Sequence, residues 1–216
     1  GFDAASLGYG RADLEIWVAG RGPRIHDVGG RLADGFHLSF APKATLGDSV
    51  ARLEHASAGR RVLRSYSTMV VTDDASIPEA RRQISFRVPD SPDSVREALG
   101  AGESDVAKLR EALAAGGPAA AGELVPESWL EHFVIQGTHD ACAVELARLA
   151  ATHGLDEFQT PVLHLEDAEQ QLETSADIVA RANGVLSTEY RVPSTKYRDL
   201  HTHRPSPDAH RPSHGA

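Results

Sequence analysis

Apolar positions along the chain follow two alternating rhythms: short runs suited to strands and longer stretches with helical spacing. The segment LEIWVAGRGPRIHDVGGRLADGFHLSF, Leu14 to Phe40, shows both. Leu14–Ala19 is a short apolar run, Gly20-Arg21-Gly22-Pro23 turns the chain, Arg24–Ala33 has helical spacing, and Gly35–Ser39 is a second strand. Pro23 stands in the first helical turn, where proline is favoured. Ile25, Val28, Gly29 and Leu32 fall on one helix face. Gly29 and Gly30 are poor helix formers, which predicts close approach to a sheet. A βα unit of this kind implies parallel strands joined by crossover helices, with ligands bound where strand carboxyl ends meet loops.

The alternation continues downstream. Thr45 is expected to cap a helix running to about Ala58, with Leu46, Val50 and Leu53 as its apolar stripe. Val62–Thr72 is the most β-like run, and Pro78–Phe86 reads as a short helix. From Val88 to Val125 Pro, Gly, Ala and charged residues dominate. Helices are expected at Asp93–Leu99 and Glu103–Ala115, with Gly116–Gly122 as a low-complexity linker. This stretch reads as a helical insertion between core units, where barrels vary and build lids.

Pro126–Phe133 is a further short helix, and Val134-Ile135 leads into Gly137-Thr138. Thr138 caps a helix to about His153, with Cys142, Leu146, Leu149 and Ala150 turned inward and Glu145 and Arg148 expected in water. Glu157–Leu165 is the fourth strand. Asp167 caps a last helix, Ala168–Ala182, that stops at Asn183-Gly184. Val185–Ala216 is polar and proline-containing, and is expected to be disordered. Its histidines, His201, His203, His210 and His214, match no defined metal-site spacing. Four strands, each followed by helix, predict an α/β fold equal to half of an eight-stranded (β/α) barrel of the TIM type, with four parallel strands plus the helical insertion.

Composition narrows the function classes. The 216 residues are 41% hydrophobic, enough for one domain with a core, and the net charge of −9 argues against nucleic-acid or anionic-membrane partners. A single cysteine, Cys142, excludes an internal disulfide and a Cys-based zinc cluster and suits a reducing cytoplasm. No apolar run reaches the roughly 18 residues of a membrane span, and no secretory leader is expected. Because the chain opens on Gly1, it is expected to be a processed or cloned product, or a piece of something longer.

The wording of two segments resembles the luciferase-like monooxygenases, which use FMN or a deazaflavin coenzyme. One is IWVAGRGPR followed by a helix and GGRLADGFHLS; the other is LVPESWLEHFVIQGTHDACAVELARLAATHGLDEF. The resemblance covers roughly Leu7 to Gly184 and matches the C-terminal half of the family's barrel. It implies barrel strands five to eight here, with strands one to four absent. It further implies a flavin or deazaflavin cofactor, a small-molecule substrate, and completion by a missing N-terminal half or by another copy in a homo-oligomer.

Candidate chemistry clusters at the turns. The resemblance implies that Ala19, Gly20, Arg21 and Gly22 approach the cofactor. The residue types agree, since glycines admit a ligand close to the backbone and a helix N-terminus favours an anion. A plain tight turn explains the same glycines. Ser39 and Lys43, at the end of the second strand and in its loop, suit a phosphate or another anion; a helix-cap loop with a solvated lysine is the other account. Gly137 and Thr138 open a helix near the last strand, where barrel phosphate sites lie, although Thr138 also serves as a simple cap. His37 shares a strand face with Ser39. Asp34 belongs to turn geometry and Cys142 to the core. No Ser/His/Asp nucleophile motif, P-loop or HExxH is present, and no metal is expected. The expected function is a flavin- or deazaflavin-dependent oxidoreductase, inactive as this piece alone. The alternative is a non-catalytic assembly or anion-binding module on the same scaffold.

Overall fold

The computed structural model describes residues 14–162 and 165–190; the segment before Leu14 and the expected tail beyond Tyr190, with its four histidines, lie outside the described residues. Strand β1 (Trp17–Ala19) leads through the Gly20–Gly22 turn into α1 (Pro23–Leu32), then β2 (Gly35–Ser39), α2 (Leu46–Ser57) and β3 (Leu63–Ser67). A four-stranded sheet of order β1-β2-β3-β6 is closed by β6 (Glu157–Gln159), and all its pairs are parallel. This is the parallel α/β arrangement the alternation predicts.

One side of the sheet is dry. Phe36, Leu38 and Tyr66 are fully buried there, beneath α2 (Leu46, Val50, Leu53), α7 (His139–His153; Cys142, Leu146, Leu149) and α8 (Ala168–Glu189; Ile178, Ala182, Leu186). Helix α1 lies against the same side, in a different rotation from the predicted one. Leu32 is 72% exposed, whereas His26 is 4% exposed and its ring lies 5.0 Å from that of Phe36. The glycines cause this rotation. A Cβ on Gly29 would stand 2.3 Å from the Phe36 ring, and one on Gly30 would strike Ala56 and the Leu53 carbonyl. Gly29 therefore touches the sheet, and Gly30 touches α2.

The expected strand Val62–Thr72 is two strands. After β3 the chain leaves the sheet, and β4 (Val70–Val71) pairs in parallel with β5 (Ile135–Gln136), a strand missed in the sequence. The buried Thr68 hydroxyl donates to the Phe133 carbonyl at 2.5 Å, which draws the chain away at that point. Between β4 and β5, α3 (Ile77–Ser85), α4 (Asp93–Leu99), α5 (Glu103–Gly122) and α6 (Glu127–Phe133) build a second core. That core receives Phe40, Met69 and Val71 from the carboxyl ends of the strands.

Helix α5 comprises two helical pieces, and the alanines of the expected linker form the second, because alanine is the best helix former. It breaks at Gly117 (φ 69°, ψ −164°), just before Pro118. Helix α8 likewise passes Asn183-Gly184. Ile178, Ala182 and Leu186 recur every fourth residue and are buried in the core shared with α7, and packing carries a helix past a weak former.

Candidate active-site mouth

Directly paired residues in a parallel sheet share a face. The side opposite the dry core therefore carries Ala19 from β1, His37 and Ser39 from β2, Ser65 and Ser67 from β3, and Glu157 and Gln159 from β6. Trp17 belongs to it too, since a Cβ on its partner Gly35 would strike the indole. This face is polar. His37 lies between two serines, Nδ1 3.1 Å from the Ser65 hydroxyl and Nε2 3.1 Å from that of Ser67. Burial holds the imidazole below its usual pKa, partly opposed by Glu157. Ser39 is half-buried, and its hydroxyl makes no hydrogen bond among the described residues.

At the carboxyl end of this face three segments meet, and we take their junction as the candidate mouth. Arg21, in the turn after β1, donates from Nη1 to the Arg87 carbonyl at 3.3 Å. Phe40, just past β2, has left-handed backbone (φ 47°) and donates its N–H to the Ser67 carbonyl at 2.8 Å. Arg87, beyond α3, lays its guanidinium 3.8 Å from the centre of the Phe40 ring and 4.4 Å from that of Phe86. It also donates to the Gln83 carbonyl and side-chain oxygen. Burial lowers the pKa of Arg21, with Asp90 opposing, and takes Arg87 to about 10, where the charge of Arg21 adds to the effect. Gly20 has a packing reason, since its Cβ would meet Ile25, whereas space above Gly22 is open. Gly22 heads α1 without a side-chain cap.

The other predicted site residues are dispersed. Lys43 donates to the Val134 carbonyl at 3.0 Å and forms an ion pair with Glu145, with 16% and 22% of the two side chains exposed. Glu145 thus leaves the water face expected for it, because the loop after β2 brings a cation onto α7. Gly137 (φ 129°) and Thr138 are exposed at the carboxyl end of β5; the Thr138 hydroxyl accepts from Ala141 N–H at 3.2 Å. Cys142 is buried, its thiol pushed up to about 11 chiefly by burial. Among the described residues no group of His, Cys, Asp and Glu could hold a metal ion, and no helix is long and apolar enough to cross a membrane. Sequence reasoning missed Arg87. Its only signal is an arginine beside Phe86 near the end of a short helix, and nothing local ties it to Arg21.

Parallel strands that alternate with helices packed on one side of their sheet form the wall of a (β/α) barrel, which gives the fold class. Residues 8–157 match the model of the luciferase-like monooxygenase family, so the chain belongs to that family. A 5,10-methylenetetrahydromethanopterin reductase from Methanolobus tindarius is 26% identical over 157 residues, covering 68% of this chain and 48% of the relative. The coenzyme F420 dependent tetrahydromethanopterin reductase from Methanopyrus kandleri is similar with a TM-score of 0.67 and 22% identity, over 78% of this chain and 51% of that one. An F420-dependent secondary alcohol dehydrogenase, solved with an F420-acetone adduct, is similar with a TM-score of 0.52 and 15% identity, over 79% and 49% of the two chains. These structures share the TIM-barrel fold class. The chain spans about half the length of the relatives it matches.

Proposed function

We propose that this chain forms the C-terminal half of a flavin- or deazaflavin-dependent oxidoreductase acting on a small-molecule substrate by hydride transfer or monooxygenation. The observation that carries this is the polar sheet face, with Arg21 and Gly22 in the turn after β1 and Ser39 at the carboxyl end of β2. The coenzyme F420 dependent tetrahydromethanopterin reductase whose fold this chain shares supports a deazaflavin, and FMN is the other cofactor of the proposal. The residues present fit the anionic end of such a cofactor. Arg21 makes no ion pair among the described residues, Ser39 has an unused hydroxyl, and the Cα of Gly22 faces open space. Ala19 and Gly20 would shape the turn. Gly137 and Thr138 are proposed as outer contacts at the end of β5. Lys43, matched by Glu145, would anchor the loop beneath Ser39. When bound, the cofactor supplies the redox chemistry, and the chain supplies position, electrostatics and one wall of the pocket.

The proposal includes completion by four further βα units, in the same polypeptide or in a partner chain. Both flanks of the sheet support it. Leu14, Ile16 and Leu32 are exposed beside β1 and α1, and Val162, Leu165, Leu172 and Val179 beside β6 and α8. Open strand edges and apolar flanks call for covering. The free, buried Cys142 fits a reducing cytoplasm, which we include in the proposal. Fluorescence titration with FMN and with coenzyme F420 tests the cofactor. Binding at high micromolar ligand supports it, and no response to either ligand sinks an autonomous site. The same apolar flanks favour a second reading, a non-catalytic assembly module. Sedimentation separates the two: self-association without cofactor binding supports the module, and a stable folded monomer removes it.

A further inference from the structure

We infer that His37, held between Ser65 and Ser67, is a proton relay of the polar sheet face, carrying a proton from the row of Glu157 toward the carboxyl ends of the strands. This rests on the oxidoreductase reading and deepens it, by naming the group that moves the proton such a reaction must place.

Register sets the geometry. Ala19, His37, Ser65 and Glu157 stand side by side in one row across β1, β2, β3 and β6. Ser39, Ser67 and Gln159 form the next row toward the carboxyl ends, on the same face. The His37 ring spans the two rows, with Nδ1 3.1 Å from the Ser65 hydroxyl and Nε2 3.1 Å from that of Ser67. Both serines are buried, and neither hydroxyl has another hydrogen-bond partner among the described residues. Bulky branched apolar side chains dominate barrel interiors. A buried imidazole site made of two hydroxyls and nothing else is a departure that packing does not call for.

The chemistry of the three groups suits proton transfer. A hydroxyl both donates and accepts, whereas a neutral imidazole has one N–H and one lone pair. Both tautomers are therefore fully bonded. In one, Nδ1–H donates to Ser65 and the Ser67 hydroxyl donates to Nε2. In the other, Nε2–H donates to Ser67 and the Ser65 hydroxyl donates to Nδ1. Burial lowers the pKa of the ring and Glu157 partly opposes it, so at neutral pH the ring is uncharged and open to either arrangement.

Hydride addition to a C=O or C=N bond of the substrate forms a C–H bond, moves the π pair to the heteroatom and leaves that atom needing a proton. The Ser67 hydroxyl gives up its proton to the heteroatom and takes the one on Nε2. Nδ1 takes the proton of Ser65, and Ser65 is refilled from Glu157. The relay ends uncharged in its other tautomer, and the substrate is reduced by two electrons. Glu157 is paired directly with Ser65, on strands about 4.8 Å apart. It is half-buried and makes no hydrogen bond or ion pair among the described residues, which leaves it free to recover its proton from water.

Imidazole 15N spectra of the full 216-residue chain test the relay above the ordinary histidine range near about 6.5, with His37→Gln assigning the signals by difference. The relay predicts Nδ1 and Nε2 shifts averaged between protonated and bare nitrogen in the parent. Ser65→Ala should fix the proton on Nε2 and Ser67→Ala on Nδ1, since the N–H stays where an acceptor remains. A merely structural ring keeps one tautomer. A single fixed tautomer in the parent, or the same tautomer in both serine variants, overturns the relay. Circular dichroism checks folding, and if His37→Gln is unfolded, the signals that move in Ser67→Ala make the assignment. Glu157→Gln should lower the His37 titration midpoint further, and an unchanged midpoint overturns the place of Glu157 in the relay. In a second arm FMN and coenzyme F420 are added at high micromolar concentration. Binding that moves Nε2 more than Nδ1 supports the relay, and binding that moves neither overturns it. Averaged shifts with no binding of either ligand support the relay and defeat only the autonomous cofactor site.

Discussion

The two faces of the β1-β2-β3-β6 sheet are made by the same strands and have opposite chemistry. On one, Phe36, Leu38 and Tyr66 are fully buried under helices. On the other, His37, Ser39, Ser65 and Ser67 make a polar surface running up to two arginines. The difference separates the face that holds the fold together from the face on which we propose ligand binding. The dry face is expected to carry the folding energy, and the polar face can vary its chemistry at small cost.

The largest effect is expected on the dry face. Phe36→Ala removes the ring against which Gly29 and His26 pack, and should cost about 3–5 kcal/mol in denaturant melts. At its rim, Lys43→Met leaves Glu145 half-buried without its cation and should cost about 1–3 kcal/mol, with part of the loss recovered in the double variant Lys43→Met/Glu145→Leu. Tyr66→Phe removes a buried hydroxyl that donates to the Ala41 carbonyl at 3.2 Å, an expected loss of about 1 kcal/mol.

Acid should act next. Burial lowers the pKa of His26, His37 and His153 in the folded chain, so below the ordinary histidine range near about 6.5 the unfolded chain takes up more protons. Stability is therefore present above that value and falls as the pH drops through it. Urea midpoints between neutral pH and mild acid should show this slope, and His37→Gln should flatten its share. The smallest change is expected for Ser39→Ala, within about 0.5 kcal/mol in stability, together with weaker FMN or F420 binding. A large loss of stability there would erase the contrast between the faces.

Much of the βα framework was legible because it is local. Strand β2 stands at Gly35–Ser39 as its pattern indicates, α4 at Asp93–Leu99, and α7 ends at Gly154 in left-handed backbone. The misses share a cause. Leu32 was expected inside on helical spacing alone, but Gly29 and Gly30 set the contact and turned His26 inward. The Val62–Thr72 run hid a split, because one uninterrupted β-rich segment serves two sheets. The two-residue strand β5 is too short to show a period. Within the mouth, Arg21 and Ser39 were legible from their turns. Arg87 was hidden because its relation to Arg21 exists only across the insertion.

The sequence alone determined the alternation of strand and helix, the apolar faces, the glycine-arginine turn and the family wording. Each depends on neighbours within one or two turns of chain. Only the tertiary structure decided that β6 closes beside β3, that the Ala/Gly run is helix over a second core, that Lys43 pairs with Glu145, and that Arg87 meets Arg21. Those relations join residues far apart in the chain, and a local pattern of apolar and polar positions carries no term for them.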